Sequence, residues 1–159
     1  MQNRRHLLRQ VLPSLAILAL LPPLAQAQDN KAKKTVKLNF GVINYTDHAI
    51  YDVALNGHGW GIAPPYFGSI GTMLLTPFEV GGPQKLSWRH GATGEIYTAK
   101  NQLFVREEEI PKGGIPAPFI CIHVYPDFTG EITYTGGTTP QPTERGLELL
   151  RQRVNRIAP

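Results

Sequence analysis

Cys121 and His123 stand two residues apart in the run Phe119-Ile-Cys-Ile-His-Val124, and on a strand that spacing puts a thiol and an imidazole on one face. A thiol activated by a neighbouring imidazole is the nucleophilic chemistry such a pair could do, although no oriented third group stands beside it. The apolar run favours a packed thiol instead, and as the single cysteine of the chain Cys121 has no internal disulfide partner. Ser69 falls in Phe67-Gly68-Ser69-Ile70-Gly71, where Phe67 takes the place of the first glycine of a nucleophile elbow, so that motif fails. His48, His58, His90 and His123 are widely separated, with neither a helical H-E-x-x-H nor a carboxylate at metal-ligand spacing. They read as surface and loop residues; no metal, cofactor or catalytic residue is predicted. Glu107-Glu108-Glu109 reads as a solvated strand end, with a basic partner surface as its alternative use.

Recognition chemistry is better represented. Trp60, Tyr66 and Phe67 fall in a stretch from Asn56 to Gly71 that holds five glycines and Pro64-Pro65, which reads as a long loop. Aromatic side chains give large contact areas at low entropy cost, so these three are the predicted partner-binding residues. Folded down, the same loop would cap the end of a sandwich. Asn44-Tyr45-Thr46-Asp47 and Asn56-Gly57 are turn chemistry, since Asn and Asp bond nearby backbone and tolerate unusual dihedrals. Asn44-Tyr45-Thr46 also fits the N-glycosylation pattern.

The elements that would position these groups are short strands. With 16 glycines, 14 prolines and 18% charged residues in 159, the composition favours strands and turns in one domain, and excludes a coiled coil, collagen or a disulfide scaffold. Val36, Leu38, Phe40 and Val42 alternate with polar residues; Tyr51, Val53 and Leu55 follow after the Asn44–Asp47 turn, suggesting a hairpin. Further strands are predicted at 73–78, 85–89, 95–99, 102–110, 119–125 and 130–135, separated by Gly- and Pro-rich turns. The predicted fold is mainly β, an antiparallel sandwich or small barrel over residues 36–135, with Leu38, Phe40, Val42, Val53, Leu55, Leu86, Trp88, Ile120, Ile122 and Val124 in its core. After a linker at 136–142 the period becomes helical. Leu147, Leu150, Val154 and Ile157 form one stripe opposite Arg145, Arg151, Gln152 and Arg156, so residues 143–159 are predicted to be an amphipathic helix packed on its own domain, with docking on a partner as the alternative.

Residues 1–27 have the parts of a secretory signal: a basic start through Arg9, an apolar run from Val11 to Leu21, and the small-residue site Ala25-Gln26-Ala27. Cleavage after Ala27 is expected, with Sec export to the periplasm; Arg4-Arg5 also resembles a twin-arginine signal. The run is too short to span a membrane, and no lipid-acceptor cysteine is near, so no membrane anchor is expected after cleavage. A polar, basic leader covers 28–35. From Leu38 onward there are nine basic and eleven acidic residues, so the excess positive charge behind the net +4 lies entirely in the first 37 residues, and the footprint of a nucleic-acid binder is missing.

The segment Phe40-Gly-Val-Ile-Asn-Tyr-Thr-Asp-His-Ala-Ile50, with Val53-Ala-Leu-Asn-Gly57 and Gly59-Trp-Gly61 after it, resembles the start of a bacterial family known as domain of unknown function three-three-zero-four. Leu86-Ser-Trp88, Ile110-Pro-Lys112 and the stretch from Ile120 to Asp127 with Gly130 are looser similarities, extending the resemblance over residues 38–135. Members of that family are small exported proteins or lipoproteins, and some are immunity proteins against type VI secretion lipase effectors. The resemblance therefore implies a periplasmic, non-enzymatic immunity protein whose partner is a cognate lipase effector, a phospholipase toxin. It carries over no catalytic residue, and this chain lacks both the lipoprotein cysteine and the paired cysteines common around Gly68 to Leu75. The competing expectations are an exported envelope or ligand-binding protein without a toxin partner, and a small hydrolase using Cys121 and His123.

Overall fold

A computed structural model describes residues 34–73, 78–112, 119–136 and 139–157. The expected signal at 1–27, nearly all of the leader and part of the linker lie outside them. The strands, in chain order, are β1 (Thr35–Val36), β2 (Asn39–Asn44), β3 (Ile50–Leu55), β4 (His58–Ala63), β5 (Phe67–Met73), β6 (Phe78–Glu79), β7 (Pro83–Gln84), β8 (Leu86–His90), β9 (Ile96–Thr98), β10 (Leu103–Phe104), β11 (Phe119–Val124) and β12 (Gly130–Thr135). A 3-10 turn covers Glu107–Glu109 and helix α1 covers Glu144–Ile157. Among the described residues no helix is long and apolar enough to cross a membrane.

Two open four-stranded sheets, β12-β11-β2-β5 and β4-β3-β8-β9, face each other as a sandwich, and no barrel closes among the described residues. All ten residues predicted to be core are buried, Trp88 at 1% exposure between the sheets, because one side of each alternating strand has only the opposite sheet to meet. Among the described residues all strand pairs are antiparallel but one: β2 and β11 run parallel in the centre of their sheet, from Asn39 beside Phe119 to Asn44 beside Val124. Every residue of both strands is buried, since the second sheet covers one face and α1 lies over the other.

Three sequence expectations change. The turn at Asn44–Asp47 makes no hairpin; it carries the chain from β2 in one sheet to β3 in the other. Asn56-Gly57 is the true hairpin turn, joining β3 to β4 with φ of 51° and 81°, the left-handed pair that a two-residue turn requires. The supposed long loop from Asn56 to Gly71 is strands β4 and β5, because glycines hide the alternation that side chains would have displayed. The strand expected at 102–110 shortens to β10, and its glutamates form the 3-10 turn, with Glu107 paired to Lys34 and Glu109 to Arg106.

Candidate functional site

Asn44 ends β2 wholly buried, and its amide ties the two sheets together at one end of the sandwich. Its Nδ2 lies 2.8 Å from the His48 carbonyl and 3.1 Å from those of Ala63 and Pro64, while Oδ1 accepts from Thr46 N–H at 2.9 Å. Thr46 Oγ1 lies 2.7 Å from the same oxygen. Asn44 and Thr46 are therefore a structural knot, as turn chemistry implied, and the buried amide is closed to glycosylation.

Tyr45, between them, points under α1. Its hydroxyl accepts from Thr143 N–H at 3.3 Å and lies 3.1 Å from His123 Nδ1; His123 Nε2 lies 2.8 Å from Thr133 Oγ1. Burial pulls the imidazole down to about 4, so it is neutral, and burial pushes the Cys121 thiol up to about 12, against a hydrogen bond from Thr133. One direction of donation satisfies every group: Tyr45 O–H to Nδ1, Nε2–H to Thr133, and the Thr133 hydroxyl to Cys121. Cys121 and His123 do share a face, but it is the covered one, at 1% and 0% exposure. His123, expected on the surface or in a loop, is a core residue.

A column of flat groups runs through the same region. Arg145 lies 3.9 Å over the Tyr125 ring, Tyr125 stacks on Tyr45 at 5.1 Å and 7°, and Tyr45 stacks on His123 at 5.9 Å and 10°. Thr143 caps the helix with Oγ1 accepting from Gly146 N–H at 3.0 Å, and Tyr125 joins that oxygen at 2.7 Å and Glu131 at 2.7 Å. Leu149 and Leu150 complete the contact with Ile43, Tyr45, Cys121 and Tyr125. The helix thus packs on its own domain, but by only part of the expected stripe: Leu150 is in the contact with Leu149 beside it, while Leu147 and Val154 are exposed at 39% and 65%. The side chain of Ile157 lies outside the described residues.

Between α1 and the end of the sandwich an open groove of about 850 Å³ remains. Asp47 and Tyr66 line it, together with His48, His90, Arg153 and Arg156. The expectation of scattered histidines fails here: the turn after β2 and the end of β8 bring His48 and His90 into ring contact, centroids 3.6 Å apart. His48 Nδ1 lies 2.8 Å from Asp47 Oδ1, and this hydrogen bond holds the Asp47 carboxyl below the usual carboxylate range. Tyr66, in the turn between β4 and β5, lies under Arg153 at 3.8 Å. Both Tyr66 and Phe128, another lining residue, hold left-handed backbone at φ 54° and 63°. For bulky residues that conformation costs on the order of 1–3 kcal/mol each and persists where surrounding structure enforces it.

The three aromatic residues expected to meet a partner part company. Tyr66 joins the groove, Phe67 lies at 64% exposure on the edge strand β5, and Trp60 belongs to β4 with its side chain outside the described residues. Among the described residues no three His, Cys, Asp or Glu side chains gather as a metal site requires. Compared with protein-family models, curated proteins and solved structures, the chain matches none.

Proposed function

We propose that this chain is an exported, non-enzymatic binding protein that neutralises a lipase effector by stoichiometric contact. The observation that carries the reading is the flank where edge strands β4 and β5 meet. Ile62, at 56% exposure, and Phe67, at 64%, lie on either side of the turn formed by Pro64, Pro65 and Tyr66. Large apolar side chains held in solvent on strand ends that flank a turn are what an interface anchor needs. The Asn44–Asp47 motif that carries the family resemblance braces this flank through the Ala63 and Pro64 carbonyls. Against the hydrolase reading stands the burial of Cys121 and His123, which leaves a neutral thiol with no access for substrate.

Co-expression with a lipase effector encoded beside the gene, if the gene neighbourhood holds one, followed by calorimetry, tests the proposal. A one-to-one complex that suppresses lipase activity is expected, with Phe67→Ala weakening it by at least about 2 kcal/mol. Absence of a complex with the wild-type chain sinks the immunity reading for that pair; an unchanged affinity in Phe67→Ala removes only the anchor assignment.

A further inference from the structure

Of the six described arginines, Arg89, Arg106, Arg145 and Arg151 each face a carboxylate, that of Asp52, Glu109, Asp127 and Glu148 respectively. Arg153 and Arg156 face none among the described residues, and both line the groove beside α1. Three residues apart on the helix, they share one wall. On the other wall His90 Nδ1 accepts from the N–H groups of Ala92 and Thr93, each at 3.2 Å, so Nε2 carries the ring proton and is a donor. The groove's carboxylate, Asp47, is engaged by His48 at 2.8 Å. Glu95 accepts from the Tyr97 hydroxyl, whose ring meets the edge of His90. Two cations with no carboxylate partner among the described residues and an N–H donor thus line one space.

We propose that this groove binds a phosphate-bearing organic molecule. Phosphate fits better than carboxylate because three terminal oxygens can meet donors from two walls at once, and guanidinium groups pair with them bidentately. An organic remainder is required by size and lining: about 850 Å³ lies within the range of small-molecule sites, and Tyr66 and Phe128 add aromatic rings that strained backbone holds in place. A second depression, of about 530 Å³, offers a contrast, since its cations Lys34 and Arg106 are already paired with Glu107 and Glu109. The inference goes beyond the lipase reading and does not depend on it.

Calorimetric titration of the purified protein with glycerol 3-phosphate and with inorganic phosphate, read in parallel by the ring-proton NMR signals of His48 and His90, tests it. Saturable binding of glycerol 3-phosphate that moves both signals is expected, with inorganic phosphate weaker. Arg153→Gln combined with Arg156→Gln, two exposed positions, should weaken binding at least about tenfold, or ~1.4 kcal/mol. Arg151→Gln, outside the groove, should leave it unchanged. Vesicles of phosphatidic acid and of phosphatidylcholine separate the sources. Retention on the former alone, lost in the double variant and without a response to glycerol 3-phosphate, assigns the phosphate to a lipid headgroup; the reverse assigns it to a soluble ester. No saturable response to any of these probes, an equal response in the double variant, or binding only to a polyglutamate peptide would overturn the proposal.

Discussion

At the scale of single residues, His123 shows how a group that reads as reactive becomes structural. Both ring nitrogens are hydrogen-bonded in the core, and the ring is held neutral at a pKa of about 4 against an ordinary 6.5. Between those two values the unfolded chain takes up a proton that the folded chain refuses, so stability falls as pH drops from about 6.5 to about 4 and levels off below. The full effect is about 3 kcal/mol. Urea unfolding of the wild type and of His123→Gln across this window should show a steeper acid loss in the wild type; parallel curves would mean that His123 is as easily protonated in the fold as out of it.

At the scale of elements, the seating of α1 rests on Gly146. A Cβ built at this position would lie 2.1 Å from Tyr45 Cζ and 2.2 Å from its hydroxyl oxygen, so the helix approaches the sheet more closely than any other residue permits. The sign of one substitution reports on this contact. In an undocked helix Gly146→Ala would stabilise by about 0.5–1 kcal/mol, through the better helix propensity of alanine. In the docked helix it should destabilise by about 1–3 kcal/mol through overpacking, and near-ultraviolet circular dichroism should show the Tyr45–Tyr125 stack disturbed. Chemical denaturation distinguishes the two, and a gain in stability would detach α1 from Tyr45.

For the molecule as a whole, the order of layers is sheet, sheet, helix, and the central parallel pair β2 and β11 belongs to both interfaces. Trp88 is among the largest wholly buried side chains and lies between the sheets, with Tyr97 against its ring at 6.4 Å. Trp88→Ala should cost about 3–5 kcal/mol in denaturant unfolding, through lost burial and the cavity left behind. A loss below about 1 kcal/mol would place that side chain at the surface.

The inward stripes of the strands, the Asn56-Gly57 turn and the existence of a terminal helix follow from the sequence itself, because side-chain periodicity and turn chemistry are local properties. Partner choice is not local. Any apolar stripe suits any other, so nothing in Phe40, Val42, Ile120 and Ile122 says that β2 runs parallel to β11, or that Asn44–Asp47 changes sheets. The same limit hid the groove: His48, His90, Tyr66 and Arg153 come from separate elements, and only the closure of the sandwich end brings them together. It also misdirected the helix. Periodicity placed Leu150 correctly but favoured Leu147 and Val154 beside it, whereas the cap at Thr143 and the close approach at Gly146 turn Leu149 with Leu150 onto the sheet.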